Sequence, residues 1–142
     1  MENKDLVLAQ WQTCVEMANS VSQRRDTLNN LFVTLNMSIL TAISIVSNMT
    51  SVDTKSIVVS FVGFFVCIVW MVILSNFRIL NCKKFEIIND LETRLPEQPF
   101  NREWKLLKQN TEYIDSTLLE RSIPIIFILA YTILIYTLIP KC

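Results

Sequence analysis

The chain has 142 residues, 51% of them apolar, with 13 cations balancing 13 acids, a single glycine and no histidine. One glycine leaves no phosphate-cradling or dinucleotide loop, and zero net charge without an aromatic-interleaved basic patch leaves nothing for nucleic acid. Without histidine there is no Ser-His or Cys-His nucleophile pair and no imidazole metal site, so neither catalysis nor a metal or cofactor is expected.

The apolar residues fall in three blocks separated by stretches that hold nearly all the charge. Residues 31–47, 57–74 and 123–139 are each free of Asp, Glu, Lys and Arg. A 17-residue helix spans about 25 Å, slightly short of a hydrocarbon core of roughly 30 Å, and uncharged flanks extend the first and third blocks. The expectation is one all-α membrane domain with three transmembrane helices over 31–49, 57–77 and 123–139. A cytoplasmic amphipathic helix over 5–25 and a cytoplasmic helical hairpin over 78–121 complete it. The first apolar block begins too far in, behind a mixed-charge helical segment, to be a cleavable signal peptide.

Over 5–25, Leu8, Trp11, Val15, Ala18 and Val21 recur at spacings of three and four, an apolar helical stripe. No Gly or Pro precedes Gly63, so this helix can continue unbroken into the first span. Within that span the polar residues sort into two edges. Asn30, Thr34, Ser38, Thr41 and Asn48 lie within about 80° of one another, and Arg25, Asn29 and Asn36 lie within about 40° on nearly the opposite side. In the second span Ser56, Ser60, Gly63, Cys67, Met71 and Ser75 form a mostly small-residue stripe suited to close helix packing.

Past the second span, Leu80, Ile87, Ile88, Leu91 and Leu95 cluster on one side of a charge-laddered helix. Its carboxylate pair Glu86/Asp90 has Lys83 and Arg94 at hand, and Glu112/Asp115 has Lys108, the pattern of a solvated salt-bridged face. The stretch LPEQPF breaks this helix. Asn101 is placed to cap the next, in which Trp104, Leu107, Thr111, Ile114 and Leu118 make a further stripe. Ser122 and Pro124 read as cap and first turn of the third span, which Pro140 ends.

Eight of the thirteen cations lie in 78–121 and three in 1–25, against one each in the 49–56 loop and the C-terminal tail. The positive-inside rule therefore puts the N-terminus and 78–121 in the cytoplasm and the C-terminus outside. Of the four cysteines only Cys142 lies outside on this topology, so no intrachain disulfide is expected.

The intramembrane polar groups admit two roles. They are helix–helix glue, small and hydroxyl side chains letting backbones approach while amides bond across helices. Alternatively, Asn30, Thr34, Ser38, Thr41 and Asn48 line a wetted path through an oligomer. Ser60, Gly63, Cys67 and Ser75 are expected in helix packing under either role.

Three stretches, RRDTLNNLFVTLN, LNCKKFEIINDLETRLPEQPFNREWKLL and ERSIPIIFILAY, resemble the RipA-type octameric membrane proteins of bacteria. The similarity runs from about Trp11 to Tyr131 and marks Arg24, Arg25, Asn29, Phe32, Leu35 and Asn36. It also marks Lys84, Phe85, Glu86, Leu95, Pro96, Glu103, Trp104, Glu120, Arg121 and Pro124. The resemblance implies a homo-oligomeric ring, eight copies in the bacterial inner membrane, with links to stress adaptation. Pores in antiviral defence enter by analogy of build alone. In such a ring each subunit meets two neighbours, which makes Arg25, Asn29, Phe32, Asn36 and Trp104 candidate interface residues. The implied partners are further copies of the chain, the lipid bilayer and a cytoplasmic protein recruited by 78–121.

Overall fold

The computed structural model describes residues 4–49, 54–109 and 116–139. Four helices follow in order: α1 (Lys4–Met49), α2 (Thr54–Glu92), α3 (Pro99–Gln109) and α4 (Ser116–Leu138), with no strand among the described residues. Three of them, α1, α2 and α4, are long and apolar enough to cross a membrane. At 46 and 39 residues, α1 and α2 exceed by far the roughly 20 that a bilayer core needs. The chain's freedom from Gly and Pro over its first 62 residues lets α1 run without a break.

Contacts divide the chain into two compact units. One gathers residues 1–26 and 76–115, the other 27–75 and 116–142. In the second unit the buried residues of α2 are Ser56, Ser60, Gly63, Cys67, Trp70 and Leu74, at alternating spacings of four and three. That spacing is the seam of a helix packed on neighbours, small at one end and bulky at the other. Large apolar side chains point away from it, Phe65, Val72, Ile126 and Ile133 among them. Lipid solvates such an exterior at no cost.

The first unit is organised around Phe100, whose ring lies 5.9 Å from those of both Trp11 and Phe85. Val7, Ala18 and Ile88 are its buried apolar residues. Its α2 segment ends in tight turns, Arg94 N–H to the Leu91 carbonyl at 3.1 Å and Leu95 N–H to Glu92 at 3.0 Å. These consume carbonyls that a helix end leaves open.

Two expected boundaries move. The cap of α3 is Gln98, whose carbonyl accepts the Arg102 N–H at 3.0 Å, and Pro99 fills the first helical position, where its fixed φ suits the helix. Asn101 is thus the third residue of the helix and not its cap. The helix that carries the last span begins at Ser116 and not at Ser122, with Pro124 inside it. A proline removes one backbone bond and does not stop a helix whose neighbours hold it, and Pro124 is fully buried. Of the stripe expected after Trp104, Thr111 and Ile114 lie outside the described residues and Leu118 belongs to α4.

Candidate functional site at membrane depth

The inward edge of α1 carries Asn29, Phe32, Asn36 and Ile43 into the spanning unit. Asn36 is wholly enclosed, 0% exposed, and its carboxamide is the hub of the unit. Its Oδ1 accepts the Cys67 thiol of α2 at 3.2 Å and the Tyr131 hydroxyl of α4 at 3.1 Å. Its Nδ2 donates to the Phe32 carbonyl one turn earlier at 2.8 Å. One uncharged side chain thereby joins three helices, where an unpartnered amide would cost several kcal/mol.

The hub depends on the only glycine. A Cβ built at Gly63 would stand 2.7 Å from the Tyr131 hydroxyl oxygen and closer still to the ring. Glycine thus leaves the slot through which Tyr131 reaches Asn36. Around the same group Ile43, Cys67 and Tyr131 form an apolar cluster with Ile39, Leu40, Phe64 and Phe127.

Two turns away along α1, Asn29 Oδ1 accepts the Trp70 indole N–H at 2.9 Å. The Trp70 ring stacks on Phe32 at 5.4 Å, nearly parallel, and lies 6.2 Å from Phe127 of α4. At the start of α4, Arg121 Nη2 donates to Ser75 Oγ at 3.2 Å, while that hydroxyl donates to the Met71 carbonyl.

Asn29, Phe32 and Asn36 therefore meet partners in their own chain. All three were assigned from sequence to the seam between subunits, and the contacts found for them here lie within one bundle. Arg25 is half-buried, and Trp104 is 51% exposed with Lys108 Nζ 5.3 Å from its ring centre. Ser60, Gly63 and Cys67 lie on the buried seam, with Ser75 half-buried beside it. Met71 yields its expected place on that stripe to Trp70.

The other edge of α1 stays outside this packing. Asn30, Thr34, Ser38 and Thr41 are exposed, and the three hydroxyls each donate to a carbonyl four residues back at 2.8–2.9 Å. The Asn48 side chain falls outside the described residues.

In the first unit the group that sequence reasoning passed over is Glu92. It is fully buried at the end of α2, and its carboxylate accepts the N–H groups of Phe100 at 3.1 Å and Asn101 at 3.2 Å. Those are the second and third positions of α3, whose donors a helix start leaves open and whose dipole favours an anion. Trp70 and Tyr131 were also passed over. Their signal was an indole N–H and a phenol O–H inside apolar spans, groups that seek a partner when buried. No cluster of three or more Cys, Asp or Glu that could hold a metal converges among the described residues.

The model of the octameric membrane protein family matches residues 8–140, nearly the whole chain. No curated protein and no solved structure matches it.

Proposed function

The chain belongs to the octameric membrane protein family, and from that premise we propose that it assembles as a homo-octameric ring in a bacterial inner membrane. The ring encloses a pore or gated path that changes membrane permeability in a stress or defence response. It is not an enzyme, its N-terminus is cytoplasmic and its C-terminus lies outside.

The observation that carries the conducting reading is the division of polar groups on α1. Asn36 and Asn29 are engaged inside the chain, whereas Asn30, Thr34, Ser38 and Thr41 form an exposed polar edge. A side chain of this kind facing lipid gains nothing there, and in a closed ring the places that remain are the axis and the seam between copies. Arg25 and Trp104 are proposed for that seam. The test is induced expression in cells carrying a voltage-sensitive dye. Expression of the natural chain depolarises them, and Thr34→Leu or Thr41→Leu weakens the effect. A potential that stays fixed at high expression overturns the reading.

The second reading is a non-conducting scaffold that recruits a cytoplasmic protein through 78–121. Its support is the exposed surface of α3, where Trp104 and Leu106 stand out among Arg102, Lys105 and Lys108. It expects a co-purifying protein to be lost on Trp104→Ala while the membrane potential never moves.

A further inference from the structure

The direction of the hydrogen bonds on the exposed edge of α1 deepens the conducting reading. A hydroxyl has one proton and two lone pairs. Thr34 gives its proton to the Asn30 carbonyl at 2.9 Å, Ser38 to Thr34 at 2.8 Å and Thr41 to Met37 at 2.8 Å. All three side chains are exposed, so what they present away from the helix is oxygen lone pairs and methyl groups. Four side-chain donors at the same depth are engaged within the chain. The Asn36 amide, the Trp70 indole, the Tyr131 phenol and the Cys67 thiol all donate to acceptors in their own bundle. These donors are thus used up inside the bundle, while the hydroxyls on the exposed edge offer only acceptors, with Asn30, at one end of the edge, the exception.

Back-bonding alone does not mark a path. Thr132 on α4 is exposed and also donates to its own helix, to Ile128 at 2.8 Å, as a single hydroxyl must do among lipid tails. The α1 edge differs in stacking three such groups, with Asn30, within about 80° of the helix circumference.

We propose that this edge is an acceptor surface at which small monovalent cations are favoured over anions, an inference that rests on the conducting reading above. Repeated around a ring, three tiers of lone pairs offer a cation partial negative charge and offer an anion no hydrogen-bond donor. Eight helices about 10 Å across, side by side, enclose a lumen roughly 16 Å wide. Ions cross such a lumen hydrated, and at physiological salt the field decays over about 8 Å, the lumen's own radius. The expected selectivity is therefore a few-fold, set by charge and not by dehydration.

The test uses the purified full-length protein in planar bilayers of neutral lipid under a potassium chloride gradient, with the permeability ratio read from the reversal potential. The natural chain favours potassium over chloride a few-fold. Combined Thr34→Val and Ser38→Ala, which keep shape and remove the oxygens, bring the ratio towards unity while current persists. Thr34→Val alone, nearly isosteric, moves it part of the way and serves if the double variant fails to assemble. Current without preference, a chloride preference, or a cation preference indifferent to both variants overturns the inference and leaves the conducting reading standing. No current from the natural chain overturns both.

Discussion

The two units solve opposite problems with the same kind of helix. In the unit of residues 27–75 and 116–139 the surroundings are apolar, so burying leucine or valine gains little and polar groups supply the cohesion. Asn36, Cys67, Tyr131, Asn29 and Trp70 serve there, tied by uncharged bonds of 2.9–3.2 Å. In the unit of residues 4–26 and 76–109 the interior is aromatic, with Phe100 between Trp11 and Phe85. Its buried polar group is a carboxylate, Glu92, spent on capping a helix. The lesson is that a buried polar side chain has a different office in each: linking helices in one, starting a helix in the other.

The sharpest way to break that contrast is Gly63→Val. The added carbons collide with the Tyr131 ring and push its hydroxyl off Asn36. Overpacking of this kind costs about 3 kcal/mol. The thermal midpoint in detergent falls, and amide exchange rises across 27–75 while 76–109 stays protected. Exchange rising equally in both segments would show that the two units do not unfold separately.

Glu92→Ala is the converse experiment. Two partly buried N–H groups of α3 lose their acceptor, at about 2 kcal/mol. Exchange then rises over 99–109 and Phe100 leaves its aromatic neighbours, which tryptophan fluorescence of Trp11 reports. Glu92→Gln, which keeps one acceptor oxygen, falls between the two. An unchanged α3 in the alanine variant would refute the capping role.

Both sites could be read in the sequence only in part. The three spans and the unbroken α1 were legible because length, apolarity and the absence of Gly and Pro are local properties. The seam through Ser60, Gly63 and Cys67 was legible because small residues recur at helical spacing. The partners were not. Asn36 and Tyr131 are 95 residues apart and Asn29 and Trp70 are 41 apart, so no periodicity connects them. Nothing local in the sequence therefore signalled that the acceptors of the asparagine edge serve its own chain. Glu92 was hidden for the same reason: a cap supplied from another helix replaces the local one that Asn101 suggested. Pro124 misled because its start-of-helix preference yields where the surroundings hold the helix through it.

A smaller effect is expected from Asn36→Leu. The substitution removes the acceptor of both Tyr131 and Cys67 but restores apolar contact, so the loss is about 1–2 kcal/mol. Rescue by Tyr131→Phe in the same chain would follow, since the phenol that lost its acceptor is then gone. A double variant no more stable than Asn36→Leu would mean that the hub stabilises by shape alone.

The smallest effect belongs to the ion pair of Lys83 and Glu86, 2.8 Å apart on the surface of α2, with side chains 71% and 68% exposed. The hydrogen bond and charge of Lys83 hold the Glu86 carboxyl below its usual range, and those of Glu86 hold the Lys83 ammonium above its own. A depressed carboxylate lends stability that is present above its unfolded pKa and is lost as pH falls through the folded one. A raised ammonium lends stability that is present below its unfolded pKa and is lost as pH rises through the folded one. The pair therefore contributes between the ordinary carboxylate and lysine ranges and fades outside them. Water and salt screen it so well that Lys83→Met should leave the thermal midpoint unmoved, while the Glu86 carboxyl resonance titrates at higher pH than in the natural chain. A clear loss of stability from that change would mean that surface charge, and not the aromatic cluster with its capping carboxylate, holds the first unit together.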